Sequence, residues 1–100
     1  KAQDEALRYA EAAVRRNPYS ETLRLRLGTL HLSSGQVNDA LDDLMTARLL
    51  APEDPVVFLA LAGIQEALGR PELAEIFYLQ AQVLQTRGAS ANVPPTAQQN

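Results

Sequence analysis

Three short stretches of the sequence gather side chains of the kinds that do chemistry. His31 is the single histidine of the 100-residue chain; Asp39, Asp42 and Asp43 crowd together just beyond it; Ser33, Ser34 and Gly35 form a serine–glycine turn between them. Catalysis would need a nucleophile with its base, paired acids held in a pocket, or a metal cluster. A lone histidine has no second histidine to share a metal, so its expected role is structural or groove-lining. Carboxylates one to four residues apart on a helix read as a solvated face that complements the positive start of that helix. The serine turn follows no strand and has no base beside it, so it is not a nucleophile elbow. No glycine-rich phosphate loop is present. These residues predict a chain that is not an enzyme and that needs neither cofactor nor metal.

The composition narrows the partner classes. Apolar residues make up 46% of the chain and charged residues 21%, as in a folded globular domain rather than a disordered one. A net charge of -3 repels a phosphate backbone, and beyond Arg15 and Arg16 the arginines form no basic stripe, so nucleic acid is not an expected partner. The chain has no cysteine, which removes disulfides and thiolate chemistry. Its longest apolar run, Val56 to Ala62, falls far short of the ~20 residues that span a bilayer, so direct membrane insertion is not expected. The sequence opens on Lys1 without the features of a signal peptide and reads as a piece of a larger protein. It leaves the compartment open between cytoplasm and bacterial periplasm.

What must position any functional side chain is a repeat. Shifted by 34 residues the sequence falls on itself: Pro18 on Pro52, Leu27 on Leu61, Gly28 on Ala62, Gly35 on Gly69, Ala40 on Ala74, Leu44 on Tyr78, Ala47 on Ala81 and Leu50 on Leu84. Each unit reads as two helices. One spans Glu21 to Ser33, capped by Ser20 and ended near Gly35; the next spans Val37 to Leu50 and is closed by Pro52. Asp54 and Pro55 open the following pair, as N-cap and first helical residue, and that helix is expected to run to about Leu68. Gly69 turns the chain and Pro71 opens the last helix. A helix from about Ala2 to Arg16 stands first, without its partner. The expected divisions are residues 1–18, a unit over 21–54, a unit over 55–86 and a flexible tail over 87–100.

The period, with "LRLRLGTLHLSSG" and "LALAGIQEALG" at matching positions, the small Ala40 and Ala47 flanking Leu44, the matching Ala74, Tyr78 and Ala81, and Pro52 at a unit's end, resembles the tetratricopeptide repeat (TPR). The resemblance covers roughly residues 2–86. It implies an all-α fold, a right-handed superhelical stack of antiparallel helical hairpins. The small residues have a physical reason of their own, since helices approach to ~8 Å only where side chains are short. Ala40 and Ala47 are expected to let Leu27 and Gly28 come close. Arg24 departs from the pattern where an aromatic is usual, as Phe58 is in the second unit, and His31 and Gln65 depart from a usual tyrosine. These departures read as drift that the packing absorbs.

The resemblance implies a non-catalytic scaffold that binds a protein or peptide partner on its concave face, for instance within a bacterial envelope, secretion or pilus complex. Carried over position by position, the groove would consist of Thr22, Leu25, Arg26, Thr29 and Leu32 from one unit and Val56, Leu59, Gly63 and Glu66 from the next. Chaperone-binding relatives grip a C-terminal carboxylate with lysine and asparagine; here those positions read Leu25, Thr29 and Ala60, with Arg26 alone basic. An apolar groove instead suits a partner helix or aliphatic peptide. The bland alternative is that these residues pack within the stack. Two other readings stand beside the scaffold: a homo-oligomerisation module acting through the terminal helix, and a regulatory domain of a larger enzyme.

The last helix, "LAEIFYLQAQVL", is apolar on two sides. At ~100° per residue Ala74, Phe77, Tyr78, Ala81 and Leu84 share the arc that should face the preceding helix. Leu73, Ile76, Leu79 and Val83 form a second, roughly opposite stripe. This stripe is expected to meet a partner or a second copy; the alternatives are scattered surface residues or cover by Val93 of the tail.

Overall fold

The computed structural model describes residues 2–91. Five helices follow one another: α1 (Ala2–Arg16), α2 (Glu21–Ser33), α3 (Val37–Leu50), α4 (Pro55–Ala67) and α5 (Pro71–Ala91). Among the described residues there is no strand. The helices form an all-α solenoid: α2 pairs chiefly with α3 and α4 with α5, while α1 rests on α2 and α3 touches α4. The shape follows from that order. Extents of 58 × 33 × 21 Å and a radius of gyration of 16.0 Å exceed the ~13 Å of a compact globule of this length.

The hairpins close by the same local chemistry. Gly35 and Gly69 adopt φ of +78° and +73°, conformations that a side chain would strain. At each, the amide three residues past the helix end reaches back: Gln36 N to His31 O and Arg70 N to Gln65 O, both 2.8 Å, with Gly35 N to Leu32 O and Gly69 N to Glu66 O at 3.0 Å. This is the Schellman closure, which satisfies carbonyls left over at a helix end. The helices that lead each hairpin are capped as expected. Ser20 Oγ accepts from Leu23 N at 3.2 Å, and Asp54 Oδ1 accepts from Val56 N at 2.9 Å.

Two boundaries differ from the sequence reading. α4 ends at Ala67, one residue early. α5 continues to Ala91, well past the expected Thr86. The reason for the second lies in the register. Pro18 and Pro52 follow α1 and α3, and the matching position after α5 is Thr86, so no proline stops the helix there. The expected tail thus begins as helix, and residues 92–100, Val93 among them, lie outside the described residues.

The core has two parts. Ala40, Leu44 and Ala47 of α3 pack with Val57, Leu61 and Ile64 of α4, while Ala10 and Val14 of α1 pack with Leu27 of α2. The small residues of α3 therefore share one core with α4, against which Leu25 and Leu32 of α2 also pack. Gly28 makes its own close approach. A Cβ there would stand 3.3 Å from both Asp43 Cβ and Leu44 Cδ2, so a side chain at this position would crowd the contact of α2 with α3.

Candidate functional site

The residues carried into the groove divide into five sets. Val56 is exposed and Leu59 is 38% exposed on α4, and the space beyond Gly63 is open. Leu25 and Leu32 are half-buried and pack against the core, which leaves only part of each side chain for a partner. Thr22 and Thr29 are exposed, with the Thr29 hydroxyl donating back to Leu25 O at 3.0 Å. Arg26 lies elsewhere: it lines a hollow of about 460 Å³ with Leu23, Leu30 and the α1 residues Ala6, Tyr9 and Ala13. Glu66 is drawn toward α5, where its Oε1 accepts from the Tyr78 hydroxyl at 2.8 Å.

Tyr78 faces the preceding helix as its arc implied, through this bond to Glu66 of α4, but is not buried there. It stands at the register of Leu44, which is buried beneath α4, but nothing among the described residues plays that part for Tyr78 and it is exposed. The hydrogen bond to the Glu66 carboxylate holds its phenol above the usual tyrosine range. Ala74 and Ala81 are buried and Phe77 half-buried, as their shared arc implied.

On the opposite side of α5 the structure gathers an apolar surface. Ile76, Leu79 and Val83 line a hollow of about 390 Å³ together with Pro52, Phe58, Gln80 and Leu84. All three are about half exposed. Leu73 is exposed too but sits outside this hollow. Phe58 forms its floor, held between Phe77, at 6.3 Å between ring centroids, and the Arg48 guanidinium, 5.7 Å from its own centroid. A second hollow, lined by Met45, Arg48 and Leu49, shares Pro52 and Phe58 with the first.

Beneath the surface lies a polar cluster that the sequence reading missed. Asp43 is only 5% exposed, so it does not belong to the solvated face assigned to Asp39 and Asp42, both of which are exposed. His31, 8% exposed, donates its Nδ1 hydrogen to Asp43 Oδ2 at 2.5 Å, since a carboxylate can only accept. Arg24 Nη1 reaches Asp43 Oδ1 at 3.4 Å, and Glu11 Oε2 of α1 stands 3.8 Å from His31 Nε2. The cluster thus ties α1, α2 and α3 together at one level. A buried carboxylate is tolerated only when it is paired and hydrogen-bonded, and here two basic side chains from one helix do both. Among the described residues no group of three His, Cys, Asp or Glu is disposed to hold a metal ion.

Comparison with known proteins bears on this architecture. A family model described as tetratricopeptide repeat matches residues 2–58, more than half of the chain. The chain belongs to the tetratricopeptide repeat family. No curated protein matches it in sequence. Among solved structures it is similar to MamA MSR-1, with 28% identity over 87% of this chain and 50% of that one, at a TM-score of 0.80. It is similar also to MamA AMB-1, with 29% identity over 83% of this chain and 49% of that one, at a TM-score of 0.76. A further MamA crystal structure, at 16% identity, covers 90% of this chain and 53% of that one with a TM-score of 0.83, and speaks for the fold alone. The chain spans about half the length of the MamA chains it matches. TPR membership and these likenesses support a protein–protein interaction scaffold. No helix among the described residues is long and apolar enough to cross a membrane.

Within the TPR frame the departures at Arg24 and His31 acquire a cause. Both basic residues are seven apart on α2, on one face, and both serve Asp43, which stands where the second unit has Phe77. The signal was present: a carboxylate occupied a position that the other repeat fills with an aromatic. It was obscured by two neighbouring aspartates that do face water.

Proposed function

We propose that this TPR segment is a non-catalytic scaffold that binds a partner helix or an aliphatic peptide across the faces of α2 and α4. The observation that carries the reading is the exposed pair Val56 and Leu59, one helical step apart, with open space at Gly63 one turn further on. Aliphatic side chains left at such spacing offer a partner helix two anchor points and room for its backbone. Thr22 and Thr29 of α2 supply exposed polar groups to flank it. The lysine and asparagine that grip a carboxylate in chaperone-binding relatives are not at these positions, so an acidic C-terminal tail is not the expected ligand. Half the length of the similar MamA chains is represented, and a larger multi-protein assembly is the setting in which such a segment would serve. Capture of partners from the source cell with the intact protein and with Val56→Glu/Leu59→Glu tests the reading. Both residues are exposed, so the variant should keep its melting midpoint within about 2 °C. Loss of the captured partner is the expected result, and equal recovery would remove this face from the mechanism.

A further inference from the structure

The outer stripe of α5 has a property that an apolar patch alone would lack. Glu72, Ile76, Leu79, Val83 and Arg87 fall within one arc of about 100° on the helix, all exposed. Along that arc the order is acid, three aliphatics, base. Glu72 and Arg87 are equidistant from the point between Leu79 and Gln80, as are Ile76 and Val83. A two-fold axis through that point would set each Ile76 against the other copy's Val83 and each Glu72 against the other copy's Arg87. We propose that α5 pairs antiparallel with α5 of a second copy of this chain.

Two comparisons within the molecule favour this occupant. The same register one repeat earlier reads Asn38, Asp42, Met45 and Leu49 on α3 and Glu53 just beyond its end, which carries acids and no base and could not match itself. That α3 register also shows what a following hairpin would do. Although α4 and α5 follow α3, Asp42 and Met45 remain exposed and Leu49 is 82% exposed. A further hairpin packed after α5 in the same manner would therefore leave Ile76, Leu79 and Val83 uncovered. The hollow floored by Phe58 runs beside the stripe and gives the second copy's aliphatic side chains a recess to enter. Isologous contacts of this kind close on themselves and make a dimer rather than a filament.

The pairing does not rest on the groove of α2 and α4, and its test is separate. Sedimentation of the intact protein over a concentration range should show a dimer, and Ile76→Asp/Val83→Asp should be a monomer with unchanged helicity. Glu72→Arg alone and Arg87→Glu alone should each weaken dimerisation about three- to tenfold, because two exposed ion pairs are lost per dimer. Glu72→Arg/Arg87→Glu together should restore it. The chain lacks cysteine, so single introduced cysteines report geometry cleanly. Gln80→Cys should cross-link near the axis, whereas Glu72→Cys should not, its two copies being roughly 20 Å apart along the helix rise. A wild-type monomer at every concentration, failure of the double reversal to restore pairing, or cross-linking of Glu72→Cys as efficient as that of Gln80→Cys would overturn the proposal. Retention of the dimer in Val56→Glu/Leu59→Glu would show that the two surfaces act independently.

Discussion

The two hairpins solve one packing problem in opposite ways. At corresponding positions the first places Arg24 and Asp43, joined at 3.4 Å, and the second places Phe58 and Phe77, with ring centroids 6.3 Å apart. The third corresponding pair is His31, bound to Asp43, and Gln65, whose Oε1 is buried without a hydrogen-bond partner. The polar solution reaches beyond its own hairpin, since His31 also faces Glu11 of α1. The aromatic one likewise reaches back beyond its own hairpin, to Arg48 of α3. One backbone therefore accepts an ion cluster or an aromatic pair, and either one fastens three consecutive helices together at that level.

The largest expected effect comes from breaking the polar side. Asp43→Ala strands His31 and the partly buried Arg24, and should lower the unfolding free energy by about 3 kcal/mol in a urea titration. Phe77→Ala, which removes the half-buried counterpart, should cost about 2 kcal/mol. The reverse order would mean that the cluster contributes little. Transplanting the second solution into the first hairpin is a finer probe. Arg24→Phe, His31→Gln and Asp43→Phe together should be neutral or stabilising by up to about 2 kcal/mol, because burying ions costs more than burying apolar groups of like volume. Hydrogen exchange should then find α1 opening more readily, since Glu11 has lost its facing histidine. The smallest effect lies where the leading helices of the two hairpins meet. There the Glu21 carboxyl is held above its usual range, first by its hydrogen bond to Asp54, then by desolvation and the charge of Asp54. A carboxyl raised in the folded state adds stability below its ordinary range and loses it as pH rises through the folded value. At pH 7 the repulsion with Asp54 therefore remains. Glu21→Gln should raise the melting midpoint there by about 1 to 2 °C, discounted for exposure, and the gain should vanish near pH 4.

How much of this was legible in the sequence depends on how far apart the interacting residues lie. Gly35, Gly69, Ser20 and the Asp54–Pro55 start act on their own backbone within a few residues, and the helices begin and turn where those signals stand. The end of α5 was misjudged because the repeat unit was taken to close at Thr86, which, unlike Pro18 and Pro52 at the matching positions, does not stop a helix. Asp43 was misread because its partners are 12 and 19 residues away, beyond the reach of any local pattern. The groove was readable only as a set of positions. Whether Leu25 points into the core, Arg26 toward α1 or Glu66 toward Tyr78 depends on the tilt between neighbouring helices, which no single helix encodes.

The serial packing of the helices also governs how the molecule yields to force. Each helix is held chiefly by the one before and the one after, and the core is divided into two patches rather than gathered into one. An array of this kind has mechanical compliance built along its length, because its stability is a sum of neighbour terms that can be lost in turn. A load applied at the α1 end would meet first the small patch of Ala10, Val14 and Leu27 and the Glu11–His31 contact. Only after those had given way would it reach the tighter packing of Leu61 and Ile64, so the scaffold would act as a graded spring rather than a single latch.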